Sequence, residues 1–117
     1  MKETLRQAAG SLLVVGLGDK DLTAMERAWL KLIRPAGIIL FKRNIVDAAQ
    51  TRALLAEATS FCTPHCGAFV DVEGGTVDRL RDVLAPIPSV QAVAQAARAT
   101  GRAAIKRAHG ELVARDA

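Results

Sequence analysis

A short segment at residues 69–81, FVDVEGGTVDRLR, places charged side chains of both signs directly after an apolar run. Asp71 and Glu73 stand two residues apart, so on an extended strand both carboxylates point to the same face. A carboxylate accepts hydroxyl hydrogen bonds and a guanidinium donates several in a fixed fork, which suits a sugar or another polyol. The same spacing also fits a structural alternative, in which Asp71 caps the next helix and Arg79 pairs with Glu73 at the surface.

Two consecutive glycines, Gly74 and Gly75, follow these carboxylates. Because glycine lacks a Cβ, the pair allows a sharp backbone turn that brings Arg79 or Arg81 back toward Asp71. In parallel α/β folds, ligands bind at the carboxyl ends of the strands, and Asp71 stands where the third predicted strand ends. The segment is therefore the candidate binding site.

Three apolar runs predict the strands that position this segment: SLLVVGL at 11–17, GIILF at 37–41 and GAFVDV at 67–72. The first two lack polar alternation, which is typical of strands buried on both faces of a parallel sheet. Arg43 and Asn44 follow the second run and are expected at the functional edge, more as a brace for the loop than as ligand contacts.

The segments between these runs have the spacing of amphipathic helices. The helices are predicted to begin at Thr23, Asp47 and Ser89, and Glu26 and Gln50 complete the capping pattern of the first two. The residues predicted to face the core are Leu22, Met25, Trp29, Leu32 and Ile33 in the first helix, Leu54, Leu55, Ala58 and Phe61 in the second, and Val90, Val93, Ala97, Ala104, Ile105, Ala108 and Leu112 in the third.

The element order is β-α-β-α-β-α, with strand starts 26 and then 30 residues apart, and Gly101 and Gly110 are expected to weaken or divide the last helix. Such an order predicts right-handed crossovers and a parallel sheet. A (β/α)₈ barrel spends about 31 residues on each unit, so residues 1–117 hold between three and four units in one domain. The fold class is predicted as α/β, a partial (β/α)₈ TIM barrel that three strands cannot close. A further C-terminal portion or a second copy is expected to cover its open edge.

Composition excludes several classes of function. The chain has a formal net charge of +4 but only three Phe, one Trp and no Tyr, too few aromatic side chains for the stacking platforms of single-stranded nucleic-acid binders. No apolar run approaches the ~20 residues of a membrane span, and the N-terminal residues do not form a secretory signal. A cytoplasmic location without nucleic-acid or membrane partners is therefore predicted.

Two weaker patterns predict neither a metal nor a cofactor. Cys62, His65 and Cys66 are close in sequence, but a structural zinc needs four ligands and only the remote His109 remains, so free thiols are expected.

The G-x-G pattern at Gly16 and Gly18 is typical of dinucleotide-binding turns, yet Asp21 replaces the third glycine. Acidic side chains near this turn would also repel a pyrophosphate. A tight βα turn is therefore predicted.

The motif DVEGGTVDRLR resembles the D-x-E-G-G-x-V-x-R motif of glycoside hydrolase family 3, and LTAMERAWLKLIRPAGIILFKRN resembles that family's segment from the first helix through the second strand. The resemblance runs from about residue 12 to about residue 88 and points to the β-N-acetylhexosaminidases of bacterial cell-wall recycling. It implies a (β/α)₈ catalytic domain and retaining hydrolysis of β-linked N-acetylglucosamine. Val72 stands where the family usually has glutamine.

The resemblance also implies residue roles. Asp71 and Arg79 are expected to bind substrate, whereas Glu73, Gly74 and Gly75 shape the site. The family's aspartate nucleophile and histidine acid/base lie in regions that these 117 residues do not include, so no catalytic residue is assigned. The chain alone is predicted not to hydrolyse glycosides. The alternative function is a non-catalytic saccharide-binding or oligomerising α/β module.

Overall fold

The computed structural model describes residues 4–100 and 103–116. Its helices are α1 (Leu5–Gly10), α2 (Ala24–Ile33), α3 (Ala48–Ser60), α4 (Val90–Thr100) and α5 (Ala103–Asp116), with a 3₁₀ turn at Lys42–Asn44. Its strands are β1 (Val14–Gly16), β2 (Gly37–Leu40), β3 (Gly67–Val70), β4 (Val72–Gly74) and β5 (Val77–Asp78). The chain divides into two compact units, Met1–Val70 and Asp71–Ala117.

The first unit contains a parallel sheet with the strand order β1–β2–β3. Val15 pairs with Ile38, and Ile39 pairs with Phe69. Since parallel strands run in one direction, the carboxyl ends of all three lie at one edge of the sheet. The predicted α/β fold, with three parallel strands that do not close into a barrel, is confirmed for the described residues.

The core of the first unit lies between the sheet and the helices α2 and α3. Its buried apolar residues are Leu17, Leu22, Leu30, Ile38, Leu40, Leu54, Ala58 and Cys62. Val14 and Phe69 lie on the opposite face of the sheet and are each 48% exposed. The expectation that β1 is buried on both faces is therefore wrong, because β1 is an edge strand and this face lies away from α2 and α3.

The caps of α2 and α3 begin these helices at the predicted residues. Glu26 N–H donates to Thr23 Oγ1 at 3.2 Å, and Thr23 N–H donates back to Glu26 Oε2 at 2.8 Å. Asp47 Oδ1 accepts from Gln50 N–H at 2.7 Å. The Gln50 side chain differs from the prediction, since its Oε1 accepts from Val46 N–H at 3.0 Å instead of returning to Asp47.

The rotation of α2 about its own axis differs from the prediction. Leu30 is the buried helix residue, at 4% exposure, whereas three residues predicted to face inward are 48–69% exposed: Met25, Trp29 and Leu32. Both sets have helical spacing, so periodicity alone does not choose between them. The Arg27–Glu57 ion pair, with Nε and Oε1 2.6 Å apart, links α2 to α3.

Helix α1 was not predicted, and it shortens β1. Ser11 N–H donates to Gln7 C=O and Leu13 N–H donates to Gly10 C=O, both at 3.0 Å, so residues 11–13 continue the helical turn instead of the strand. A sequence signal was present, because Thr4 and Gln7 form a capping box.

The second unit contains the β4–β5 hairpin, α4 and α5. Ser89 caps α4 as predicted, since its Oγ accepts from Ala92 N–H at 3.2 Å. The predicted third helix is two helices, and Gly101 lies outside the described residues. Within the described ranges, no helix combines the length and the apolarity needed to cross a membrane.

The core predicted for the third helix is partly correct. Val93 and Ala97 are 8% and 6% exposed, as expected. Val90 is 63% exposed, because a side chain at the first helical position projects beyond the helix end. Ala108 is exposed because α5 is a separate helix with its own rotation. The side chains of Ala104 and Leu112 lie outside the described set, and Ile105 is half-buried.

Candidate functional site

The candidate site lies in the second unit, in an antiparallel hairpin formed by β4 and β5. Val72 pairs with Asp78, and Gly74 pairs with Val77 across an irregularity in the ladder. The third strand was predicted to continue through residue 72. It ends instead at Val70, and Val72 begins the hairpin.

The reversal between β4 and β5 depends on the two glycines. Gly74 has φ 79° and Gly75 has φ 63°, both in the left-handed region that favours glycine. A Cβ on Gly74 would overlap the backbone carbonyl oxygen of Pro88, and one on Gly75 would lie 2.8 Å from the Cβ of Ser89. The sharp turn predicted at these residues is present, and its surroundings leave no room for a side chain at either position.

Asp71 and Arg79 flank the paired residues Val72 and Asp78. The ladder ends at the pair Val72–Asp78, so Asp71 and Arg79 each lie one residue beyond the paired strands. The Asp71 carboxylate is exposed and makes no hydrogen bond or ion pair with a described residue. Arg79 is half-buried, and its Nε is shielded from solvent without an acceptor in the described part of the chain.

Glu73 and Arg81 are both exposed and do not join this pair. They line an open groove of about 580 Å³ whose other polar side chains are Thr76, Ser89 and Gln91. The contacts of the structural alternative are absent from the described residues, because Ser89 caps α4 in place of Asp71 and Glu73 makes no ion pair with Arg79.

Arg43 and Asn44 brace the loops at the carboxyl edge of the sheet in the first unit. Arg43 Nε donates to Leu17 C=O at 3.0 Å, and its guanidinium lies 4.8 Å from the centroid of the Phe41 ring. Asn44 is fully buried and donates from Nδ2 to the carbonyls of Leu17 and Asp19 at 3.2 and 2.8 Å. Its Oδ1 accepts from Phe41 N–H at 2.8 Å. The predicted bracing role is confirmed.

The G-x-G turn after β1 holds a carboxylate of its own chain. Gly18 N–H donates to Glu26 Oε1 at 2.8 Å. The pKa of Glu26 lies below its ordinary value because the backbone N–H groups of Thr23 and Gly18 stabilise the ionised form. The feature is thus a tight βα turn, as predicted.

The two cysteines lie in the connection between α3 and β3, and both thiols are free. Burial raises the pKa of Cys62 to about 12, and a hydrogen bond with Cys66 adds to the rise. His109 belongs to α5, where its Nε2 lies 2.8 Å from the Pro88 carbonyl oxygen. Among the described residues, no three side chains are grouped as metal ligands.

Comparison with known proteins places this geometry in a family. No protein-family model matches the chain. A protein named beta-hexosaminidase from Xanthomonas oryzae pv. oryzae is 39% identical over 107 residues, and one from Xanthomonas campestris pv. campestris is 37% identical over 106. Each match covers 88% of this chain but only 31% and 32% of the relative.

Solved structures give the same family. The chain superposes on NagZ from Neisseria gonorrhoeae with a TM-score of 0.76 and 29% identity, over 89% of this chain and 31% of that one. A glycoside hydrolase family 3 β-N-acetylglucosaminidase from Paenibacillus sp. gives a TM-score of 0.69 and 28% identity, over 79% of this chain and 18% of that one. The chain belongs to glycoside hydrolase family 3. This family 3 chain spans about a third of the length of the curated relatives it matches.

Two features of the family 3 hairpin were not predicted. Asp78 is only 4% exposed, and its Oδ2 accepts from Ile87 N–H at 3.0 Å. The shielding of Arg79 Nε was also not expected. The glycines at 74–75, flanked by Val72 and Val77, were the available signal for a hairpin, but the irregular register that pairs Asp78 with Val72 is seen only in the structure.

Proposed function

We propose that this chain contributes one wall of the sugar site of a retaining β-N-acetylglucosaminidase, in which Asp71 and Arg79 bind the sugar hydroxyls. The observation that carries the proposal is the Nε of Arg79, which is shielded from solvent and has no acceptor among the described residues. A shielded N–H without an acceptor costs free energy, and that cost would be removed if the guanidinium turned its Nε–H toward a ligand oxygen. The carboxylate of Asp71 has no partner among the described residues, and Asp71 and Arg79 each lie one residue beyond the last pair of the hairpin.

The names of the similar proteins support the sugar class. Relatives of this chain are named beta-hexosaminidase, and NagZ from Neisseria gonorrhoeae has been solved in complex with N-trifluoroacetyl-D-glucosamine. That ligand carries an amide next to ring hydroxyls, groups that a carboxylate and a guanidinium bind by accepting and donating hydrogen bonds. N-acetylglucosamine-containing saccharides are therefore the proposed substrates.

The proposed roles are binding and orientation without bond cleavage. Retaining hydrolysis needs a nucleophile that attacks the anomeric carbon and an acid/base that protonates the leaving oxygen. Asp71 and Glu73 are not assigned these roles, since in the family the nucleophile and the acid/base belong to other regions. Asp71 would instead hold a hydroxyl through a hydrogen bond that strengthens as the ring distorts toward the transition state.

The proposal is tested by joining residues 1–117 to the remaining C-terminal portion of the Xanthomonas oryzae relative and assaying a chromogenic β-N-acetylglucosaminide. We expect activity in the joined protein and none in the chain alone. Asp71→Asn should lower kcat/KM about 10- to 150-fold, because a hydrogen bond to a charged group contributes roughly 1.5–3 kcal/mol.

Glu111→Gln is the matched control, since it removes an exposed carboxylate of α5 in the same unit. Its rate should stay within about twofold of the unsubstituted protein, as expected for a surface change. A rate for Asp71→Asn within a few-fold of the unsubstituted protein would contradict the proposed role of Asp71.

A covering polypeptide is part of the proposal. Half-exposed apolar side chains on one face of the sheet, at Val14 and Phe69, favour a further portion of a family 3 protein packed there. The second candidate function is a non-catalytic module that dimerises through its unpaired strand edge, and it predicts a monodisperse species in light scattering that melts cooperatively in thermal unfolding of the chain alone. A cytoplasmic location, and the assignment of residues 1–117 to one part of a catalytic domain, stay predictions from the sequence.

A further inference from the structure

A loop at residues 79–87 leaves β5 and carries Arg79 and Arg81. It contains one turn, in which the N–H groups of Val83 and Leu84 both donate to Leu80 C=O at 2.8 Å. Two further hydrogen bonds hold the loop at its ends.

The backbone N–H and C=O groups of Ile87, the last residue of the loop, hold the loop against the hairpin. Ile87 is 5% exposed, and its C=O accepts from Gly75 N–H at 2.9 Å while its N–H donates to Asp78 Oδ2 at 3.0 Å. One hydrogen bond comes from the glycine turn and the other goes to β5. These two hydrogen bonds fix the end of the loop against the hairpin, and Asp78 provides the only side chain that takes part in them.

We propose that Asp78 is a positioning residue of the sugar site, whose carboxylate closes the 79–87 loop and thereby holds Arg79 in place. Asp78 precedes Arg79 directly, so fixing its side chain against Ile87 restricts the backbone from which the guanidinium extends. The role in the sugar site rests on the proposed function, whereas the effect of Asp78 on Arg79 does not.

The chemistry favours a carboxylate at this position. A buried carboxylate needs hydrogen-bond partners, and one bonded to a backbone N–H makes a stronger bond than a neutral acceptor would. Holding Arg79 in place during folding also removes part of the side-chain entropy that a ligand would otherwise have to offset when it binds. Asp78 would therefore affect how tightly the site binds sugar without touching the sugar.

The test follows hydrogen exchange at Ile87 N–H and at Arg79 Nε–H by NMR in the 117-residue chain. In Asp78→Ala, both sites should exchange on the order of tenfold faster, the effect of losing one net hydrogen bond. The Val93 amide in α4, which donates to Ser89 C=O at 3.0 Å, is the internal reference and should not change. Asp78→Asn keeps a weaker acceptor oxygen and should restore part of the protection, so that exchange at both sites lies between that of Asp78→Ala and that of the unsubstituted chain.

If Asp78→Ala does not fold, Asp78→Asn decides, because its weaker neutral acceptor should raise exchange several-fold at both sites together. An increase at Ile87 alone, or at neither site, would overturn the inference, since Asp78 would then stabilise the loop without positioning Arg79.

Titration with N-acetylglucosamine separates this inference from the proposed function. The sugar should shift the Arg79 Nε–H signal in the unsubstituted chain, and in Asp78→Ala the shift should need on the order of tenfold more sugar, with partial rescue in Asp78→Asn. An Arg79 signal that no sugar concentration moves would refute the proposed function and leave the exchange result to decide the role of Asp78. A sugar response that is equal in all three proteins would refute the positioning role alone.

Discussion

Replacing Asn44 by aspartate exchanges a buried amide for a carboxylate of nearly the same shape. The Asn44 Nδ2 donates to the carbonyls of Leu17 and Asp19, at 3.2 and 2.8 Å, so an aspartate oxygen there would face two acceptors. Desolvation and the carbonyl dipoles both disfavour the ionised form, and the pKa of the new carboxyl should rise above 7 in the folded chain.

The free-energy cost of the substitution follows from the difference between pH 7 and the ordinary pKa of aspartate. An ordinary aspartate has a pKa of about 3.9, so keeping the group neutral at pH 7 costs about 4 kcal/mol at 1.36 kcal/mol per pH unit. The neutral carboxyl can donate to only one of the two carbonyls, which adds roughly 1 kcal/mol. Asn44→Ala instead loses three hydrogen bonds at any pH, which costs roughly 2–3 kcal/mol.

The order of stability of Asn44→Asp and Asn44→Ala should therefore reverse between pH 7 and pH 4. For a folded-state pKa above the unfolded one, the penalty is present at high pH and disappears as the pH falls toward the unfolded pKa. Asn44→Asp should be the less stable variant at pH 7, by about 2 kcal/mol, and the more stable one at pH 4, where only about 1–2 kcal/mol of its penalty is left.

Urea unfolding followed by circular dichroism at both pH values measures the two free energies. Gln95→Glu adds a negative charge on the exposed surface of α4 and should stay within about 0.5 kcal/mol of the unsubstituted chain. If the order of Asn44→Asp and Asn44→Ala is the same at pH 7 and pH 4, the side chain of Asn44 does not donate to these carbonyls and the bracing role is refuted. An Asn44→Asp chain that is unfolded at pH 7 but folds on acidification would agree with the reasoning.

Two further predictions concern the helix cap and the glycine turn. The pKa of Glu26 is lowered in the folded chain, so its contribution to stability is present above the unfolded pKa of about 4.3 and is lost as the pH falls through the folded value. Because the carboxylate is partly exposed and screened by solvent, Glu26→Gln should lower the free energy of unfolding by only about 0.5–1 kcal/mol at pH 7 and by little at pH 3. Equal losses in urea unfolding at both pH values would contradict this. Gly74→Ala should destabilise the second unit by more than 1 kcal/mol, since φ is 79° and a backbone oxygen occupies the Cβ position, whereas Gly110→Ala, with nothing within 4 Å, should be neutral or stabilising in thermal unfolding. Equal melting temperatures for the two alanine variants would show that the turn at Gly74 does not require glycine.

Local sequence signals predicted the helix starts and the site turn well. The residues that decide a cap interact within three positions, so the pairs Thr23–Glu26 and Asp47–Gln50 could be recognised without knowing the rest of the fold. The turn at Gly74 depends equally on local backbone conformation. The alternation of strands and helices, together with the family motif, also predicted the parallel sheet. A helix that connects two neighbouring strands of one sheet makes those strands parallel and the crossover right-handed.

Helix rotation and residue environment needed the tertiary structure. The sequence determined where α2 begins and that the helix has an apolar stripe. Leu30 and Trp29 both belong to stripes with helical spacing, so spacing does not say which of them is buried. Packing against β2 and α3 decided that Leu30 is buried. Likewise the sequence determined that Asp71 and Arg79 are eight residues apart across a glycine turn. The hairpin register, the burial of Asp78 and the shielding of Arg79 Nε come from contacts between residues distant in the chain, and no local preference encodes such contacts.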